Sequence, residues 1–360
     1  MLRSLPRPEF ECHVIVPADP PLRPEFEAAG VRVHVVPMRR SSRSHRAREW
    51  IEYALAWPVT VVRLAALLHR LDVDVVHTNS FHSWYAWAAA VLVRRPHVWH
   101  GREIVVQSGA ALALERFLIP HFSARVLSMS HAIADQLDGV EVTVVYETPD
   151  PAEFHPSRAG RFRARVGIAD DLPLIGTAGR VDTWKGFDVL LEAFGRVRAA
   201  RQDVQLVVAG GPVRGKEQVF EHLAGVAGAT PGAHWLGGRD DVADLLADLD
   251  LFVLPSTEPE PYGLVLVEAL MSGAVVVATD AGGPREILDA AAPGSGRLVP
   301  IRDPAALADA IVAELDELPG TSPARRAARS PRRDPEPERF AAIFRAVVAA
   351  ARTKTRGTER

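Results

Sequence analysis

Cys12 is the only cysteine in 360 residues, so no intrachain disulfide staples the fold, and this usage fits a reducing compartment. No uninterrupted run of 18 apolar residues reads as a membrane span, and the N-terminus lacks the apolar core of a secretory signal. Charge of neither sign is in real excess. The 42 Lys and Arg against 45 Asp and Glu leave a net −3, which gives no global pull toward nucleic acid. No Gly-x-Gly-x-x-Gly follows a strand pattern with an acidic residue at the required distance, which sets a dinucleotide oxidoreductase last among the candidate functions. Short internal repeats are absent as well. These absences predict a soluble cytoplasmic chain, or one bound peripherally to the inner face of a membrane.

What is present is strand and helix in alternation. The chain is 48% hydrophobic, enough for two cores of ordinary domain size. Short β-branched runs at residues 14–17, 31–37, 73–77, 98–100, 125–130 and 142–146 are separated by longer amphipathic stretches. That pattern predicts a parallel, doubly wound sheet, which binds ligands at the carboxyl ends of its strands. Thr78-Asn79-Ser80 and His100-Gly101-Arg102-Glu103 leave two such ends and are expected to line a cleft. His77 ends a strand pattern and is expected to be packed, while His82 is a candidate acceptor contact. A Pro-rich stretch at residues 146–156 closes this first block. Beyond it, residues 174–180 read as a strand, 181–186 as a turn and 187–198 as an amphipathic helix. The strand at residues 205–209 ends in Gly210-Gly211-Pro212, a pair that also makes plain turns.

The stretch PSTEPEPYGLVLVEALMSGAVVVATDAGGPRE, residues 255–286, organises the second half. It follows the apolar run Leu251-Phe252-Val253-Leu254, passes through a Pro- and Glu-rich loop, and opens a helix at Gly263-Leu264. The first turn of a helix leaves amides unpaired and binds phosphate well. Glu260 precedes that opening and Glu268 follows it. Were helical geometry to hold throughout, eight steps would give a net turn of ~80° and an advance of ~12 Å. The two carboxylates then share a side without touching, placed for two parts of one long ligand. Sugar, diphosphate and ribose suit the three stations, because a carboxylate accepts hydrogen bonds from vicinal hydroxyls.

This strand–loop–helix resembles the donor site of retaining glycosyltransferases, in particular glycosyltransferase family 4 with the GT-B fold. The family's E-x7-E motif stands here as Glu260 to Glu268, and its Gly-Gly turn followed by Glu as Gly282-Gly283-Pro284-Arg285-Glu286. Gly179-Arg180 with Lys185-Gly186 is similar to the family's paired basic residues on the donor diphosphate. His100 resembles its N-terminal histidine, which faces the donor sugar. The resemblance implies two Rossmann-like doubly wound domains across a cleft, with Glu268 on ribose and Arg180, Lys185, Gly263 and Leu264 on diphosphate. It makes Glu260 and His100 the catalytic pair. The stretch His234 to Val242 resembles the loop beside the nucleotide base, so Gly179, Gly238 and Arg239 are candidates for the donor or base loop. A nucleoside-diphosphate sugar is the implied substrate, with no cofactor and no metal. The Asp-x-Asp spellings Asp72/Asp74 and Asp248/Asp250 read as capping and loop residues. A saccharide, lipid-linked or small-molecule acceptor is the implied second partner, and nucleic acid is not.

The implied domains are residues 1–155 on the acceptor side and 156–320 on the nucleotide-sugar side. A Pro/Arg-rich linker at 321–338, a helix at 339–352 crossing back to the first domain, and a polar tail at 353–360 follow. Two departures stand out. The family usually shows Asn-Gly where Glu147-Thr148 stand, which should affect the hinge. The family's first strand, Gly-rich loop and first helix precede the strand that residues 14–17 resemble. A βα pair takes ~25 residues or more, and only about a dozen precede Val14. The sequence as written is therefore expected to lack that unit, to pair residues 14–17 with 73–77, and to have a poorly stable first domain. A segment at residues 39–48 with five arginines, followed by the aromatic stretch 50–57, reads as a loop and then a core helix through 61–68, or as an edge that meets anionic lipid. Two functions follow. One is sugar transfer from a nucleoside-diphosphate sugar to an acceptor hydroxyl with retention, in glycan, glycolipid or cell-surface polysaccharide synthesis. The other is a truncated nucleotide-sugar-binding module with little or no activity.

Overall fold

A computed structural model describes residue 2 and residues 5–39, 47–104, 109–169, 171–318 and 337–358. The chain forms two units, residues 1–147 with 335–360 and residues 148–334. The boundary therefore falls at Glu147/Thr148, ahead of the expected residue 155, and the expected linker at 321–338 lies almost wholly outside the described residues.

The first unit runs β1 (His13–Val16), α1 (Arg23–Ala28), β2 (Arg32–Val35), α2 (Ala47–Arg70), β3 (Val76–Thr78), α3 (Ala86–Leu92), β4 (His97–Gly101), α4 (Gly109–Phe122), β5 (Arg125–Ser128), α5 (His131–Ala134) and β6 (Val142–Val144). Each β-branched run became a strand, and every strand pairing is parallel. The sheet, however, is in two pieces: β1 pairs with β2 alone, and β3-β4-β5-β6 form a separate four-stranded sheet. The expected pairing of residues 14–17 with 73–77 does not occur. Among the described residues, β1 and β3 each keep one unpaired edge.

The second unit runs α6 (Arg161–Val166), β7 (Leu174–Ala178), α7 (Phe187–Ala200), β8 (Gln205–Ala209), α8 (Glu217–Ala229), β9 (Ala233–Gly237), α9 (Val242–Asp248), β10 (Leu251–Leu254), α10 (Leu264–Met271), β11 (Val275–Thr279), α11 (Gly283–Ala290), β12 (Gly296–Val299) and α12 (Pro304–Glu317). Its six parallel strands lie in the order β12-β11-β10-β7-β8-β9. Chain order reverses between β7 and β10, which makes that junction the topological switch point where doubly wound sheets bind ligands. β7, β10 and β11 are buried along their whole length, and helices cover both faces, so these strands read as unbroken apolar runs.

After the second unit, α13 (Pro337–Thr358) rejoins the first. Phe340, Ala341, Phe344 and Val347 bury against Val98, Leu127 and Val145 of the four-stranded sheet. The helix runs past residue 352, so most of the expected polar tail is helical; Arg and Lys are good helix formers. α2 likewise exceeds the expected 61–68, starting at Ala47 and continuing through Pro58. Residues 40–46 of the arginine-rich segment lie outside the described residues, while Arg39 and Arg48 both bind Glu52, at 2.6 and 2.9 Å. By length and composition, residues 48–70 suffice to cross a membrane, with about a third of their apolar window buried. Counting uninterrupted runs missed this stretch because Arg63 divides it.

Candidate nucleotide-sugar site

At the switch point, the loops after β7 and β10 are stitched together. Gly186, at φ 68°, sits so close to the second loop that a Cβ there would lie 1.9 Å from the Pro255 carbonyl oxygen. Thr257 donates its amide to the Trp184 carbonyl at 2.8 Å and its hydroxyl to the same oxygen at 3.2 Å. Between these contacts, Lys185 Nζ lies 3.0 Å from Glu260 Oε1 and 2.8 Å from Oε2, and Ser256 Oγ donates to Oε2 at 2.8 Å. Lys185 Nζ also stands 4.1 Å from the centre of the Trp184 ring, a cation–π contact that fixes its direction. Arg180, at the end of the β7 loop's first turn, is exposed and takes no partner among the described residues.

A second crossing holds the backbone of Glu260. Its amide donates to Ala281 at 3.0 Å and its carbonyl accepts from Gly283 at 2.8 Å. The Gly-Gly turn is required for this: Gly282 has φ 80°, and a Cβ there would meet the Glu260 carbonyl oxygen at 2.2 Å. Gly263, at φ 95°, then turns the chain into α10, which no side chain caps. Its first-turn amides remain open to an anion, beside the Lys185–Glu260 pair.

Glu268 lies half-buried on α10, with no partner for its carboxylate among the described residues. Burial, and then the neighbouring charge of Glu153, push its pKa up to about 7. The two motif carboxylates thus differ in kind: Glu260 is neutralised by a cation, and Glu268 waits without one. The uniform helical geometry assumed for the spacing holds only from Leu264 onward, since Glu260 lies in the loop.

Gly179 and Gly238 sit at the carboxyl ends of β7 and β9 beside Gly210-Gly211. A Cβ on Gly210 would lie 2.0 Å from the Gly179 carbonyl oxygen, so this Gly pair is a close-packed crossing and more than a plain turn. The Arg239 guanidinium is held by both carboxylate oxygens of Asp241, at 2.6 and 2.7 Å, and lies over the Phe162 ring. Asp248 gathers the amides of Gly160, Phe162 and Arg163 at the start of α6, and Asp250 accepts from Arg163 and the Leu174 amide, at 2.8 and 2.9 Å. Both act as capping and anchoring groups. Among the described residues, no group of three or more His, Cys, Asp or Glu is placed to hold a metal ion.

In the first unit, the carboxyl ends of β3 and β4 bind one another. Ser80 Oγ and the Phe81 amide donate to Glu103 at 2.5 and 3.1 Å, and Arg102 donates to Asn79 at 3.1 Å. Glu147, the departure from the family's Asn-Gly, takes Arg102 bidentately, with Nη1 at 2.6 Å from Oε1. His100 is wholly buried between His77 and Phe340 of α13, and neither ring nitrogen has a partner among the described residues. Burial drives its pKa down to about 3, so the ring is neutral. His77 packs edge-on against Phe344, as its strand position predicts. His82 is exposed and lies 3.4 Å from the buried Glu115, and hydrogen bonding to that carboxylate, against the opposing effect of burial, raises its pKa. Sequence reasoning missed Ser256, Trp184 and Glu115. A hydroxyl or indole carries no motif of its own, and Glu115 lies on an otherwise ordinary amphipathic helix.

Residues 172–317 match the model of the glycosyl transferases group 1 family, and residues 1–145 match a glycosyl transferase 4-like domain. A GDP-mannose-dependent alpha-mannosyltransferase of Mycolicibacterium smegmatis is 31% identical over 307 residues, 80% of this chain and 76% of its own. A D-inositol 3-phosphate glycosyltransferase of Stackebrandtia nassauensis is 30% identical over 282 residues, 70% of this chain and 61% of its own. The chain spans about six tenths of the length of the first curated relatives it matches. Among solved structures, Anabaena Alr3699/HepE in complex with UDP and glucose superposes with a TM-score of 0.72 at 22% identity, covering 96% of this chain and 90% of that one. Two Rossmann-like units of the GT-B type, with a candidate ligand site at the second unit's switch point, define the class. The chain belongs to the glycosyl transferases group 1 family.

Proposed function

We propose that this chain transfers a sugar from a nucleoside-diphosphate sugar to an acceptor hydroxyl with retention, in glycoconjugate synthesis. The observation that carries the reading is the uncapped start of α10, flanked by Lys185 on one side and the unpartnered carboxylate of Glu268 on the other. Ribose hydroxyls donate to Glu268, the diphosphate takes the Gly263-Leu264 amides with Arg180 and Lys185, and sugar hydroxyls reach Glu260. The bond from the anomeric carbon to the diphosphate oxygen breaks as the acceptor oxygen attacks from the same face. The acceptor's proton goes to a diphosphate oxygen. Fixed cations and amides stabilise the charge on the departing diphosphate. His100 is neutral and wholly buried between His77 and Phe340, so the transfer is written without it. The test is incubation with UDP-glucose and with GDP-mannose, both suggested by named relatives, reading product anomers by NMR. Binding of nucleotide without turnover would favour the non-catalytic module.

The place of action is proposed to be the cytoplasmic side of a membrane. Ile51, Leu55, Val59 and Val62 form an exposed apolar stripe along α2, and Arg48 and Arg63 lie on the same helix. Co-sedimentation with anionic but not neutral vesicles is the expected result, and no sedimentation with either would end the reading.

A further inference from the structure

The two-stranded sheet of the first unit carries a pair of histidines that the donor site does not use. β1 and β2 run parallel, with His13 beside Arg32 and Ile15 beside His34. Alternate residues of a strand share a face, so His13 and His34 are diagonal neighbours on one face of this sheet. Their ring centres lie 5.2 Å apart at an interplanar angle of 32°, and His13 Nδ1 stands 2.9 Å from His34 Nε2. The far nitrogen of His13, Nε2, faces the Glu11 carboxylate at 3.4 Å, and Arg32 holds that carboxylate at 2.8 Å. A carboxylate behind Nε2 favours the tautomer with its proton there, which turns the Nδ1 lone pair toward His34.

Two imidazole nitrogens at this separation can share one proton or one metal ion. Neighbouring ligands of a square or octahedral ion lie about 2.8–3.0 Å apart for bonds of ~2.0–2.1 Å. The observed 2.9 Å falls inside that interval. A tetrahedral zinc pair needs ~3.3 Å, so the rings would part by a few tenths of an ångström to take it. A carboxylate on the other nitrogen of a ligating histidine fixes the ring and raises the basicity of the ligating atom. We propose that His13 Nδ1 and His34 Nε2 are the two protein ligands of an open site for a divalent transition-metal ion, with Glu11 as the support behind His13. Binding moves the proton of His34 to its own Nδ1, so no net proton is lost from a neutral pair. No third His, Cys, Asp or Glu among the described residues completes the set, and water fills the remaining positions. The charges of Arg70 and Arg32 oppose a cation beside His34, so the affinity falls short of a closed four-ligand site. Because the ligands come from neighbouring strands, the ion clamps β1 to β2, a pairing that no third described strand supports.

The test titrates the metal-free chain with Ni²⁺, Cu²⁺ and Zn²⁺, using Mg²⁺, which prefers oxygen ligands, as the control. One ion per chain is expected, with Cu²⁺ bound most tightly. At about a hundredfold excess over Kd, the ion should raise the first melting transition by about 5–10 °C. His13→Asn and His34→Gln keep a polar atom near each ligating nitrogen, yet each should weaken binding at least about 100-fold. Glu11→Gln should weaken it about tenfold while leaving one site per chain. A second measurement needs no variant: paramagnetic Ni²⁺ should broaden the imidazole NMR signals of His13 and His34 before those of any other histidine. Equal broadening across the histidines, binding that survives both histidine substitutions, stabilisation by Mg²⁺ as large as by Ni²⁺, or no binding at sub-millimolar metal would each overturn the site. The pair would then be a plain hydrogen bond between two rings.

Discussion

Lys185 and Glu260, 75 residues apart in sequence, form an ion pair in which one ammonium serves both carboxylate oxygens. The side chains are only 16% and 8% exposed, so neither charge is free to seek water. The pair ties the β7 loop to the β10 loop before any ligand arrives, and it leaves the ammonium with hydrogen-bonding capacity toward a phosphate. The site is thus assembled in advance, with its cation aimed by Trp184 and its anion by Ser256.

Removing one partner strands the other in a place with little water, which costs about 3 kcal/mol. Lys185→Ala and Glu260→Ala should each lower stability by that order. The double variant Lys185→Met/Glu260→Gln should recover most of it, while all three lose sugar transfer. Denaturant titration beside a donor-turnover assay checks this. Single variants as stable as the parent would show that the pair carries no stability.

Glu268 sets a pH dependence. Its folded pKa of about 7 lies above the ordinary 4.5, so the folded state disfavours the ionised form. The ligand-free protein should therefore lose stability as pH rises from about 4.5 to 7 and level off above. Nucleotide binding should strengthen over the same range, because ribose hydroxyls need the carboxylate. Glu268→Gln should flatten the stability profile, and Glu268→Ala should weaken UDP or GDP binding roughly 10- to 100-fold, equivalent to ~1.5–3 kcal/mol. Calorimetric titration at pH 5.5 and 8 reads both. Equal affinity in the variants would remove Glu268 from the site.

Gly282→Ala should be among the most damaging single-atom changes in the chain. Its Cβ would lie 2.2 Å from the Glu260 carbonyl oxygen, at a φ of 80° that L-residues rarely adopt. The crossing that holds Glu260 cannot yield without moving β11 and α11, so a loss of ~2 kcal/mol or more is expected, with turnover falling alongside. A parent-like melting curve would mean that the turn has another low-energy form.

His100 should stay neutral down to about pH 4, visible as an imidazole NMR signal that does not titrate near 6.5. His100→Leu should keep or raise the melting temperature, because it removes two buried nitrogens that have no partner. Titration near pH 6.5 would place the ring in water.

The strands and the donor loops were legible because buried parallel strands are unbroken β-branched runs and because glycine marks close crossings. Residues 174–178 and 251–254 announce themselves that way, as do Gly263 and Gly282. The ion pair was not legible. Arg180 and Lys185 look alike in sequence, and only the fold reveals that one is exposed while the other is spoken for by Glu260. The burial of His100 was equally hidden, since Phe340, which covers it, lies 240 positions later. α2 ran on through Pro58 where periodicity stopped at a loop; Trp57 beside that proline packs on Tyr85 and donates to the Trp84 carbonyl at 3.0 Å. The split of the first sheet followed from nothing local, because an unpaired strand edge is a property of what lies beside it.

The return of α13 to the first unit makes the second unit a nested insertion. Residues 148–334 begin and end inside a host whose two parts are far apart in sequence. The inserted unit is one continuous segment and can be excised by two cuts. The host cannot: separated from α13, it would expose the faces of Val98, Leu127 and Val145 that Phe340, Phe344 and Val347 cover. A C-terminal deletion reaching residue 340 is therefore a lesion of the N-terminal half, and its loss of stability should appear in the first unit rather than in residues 148–334.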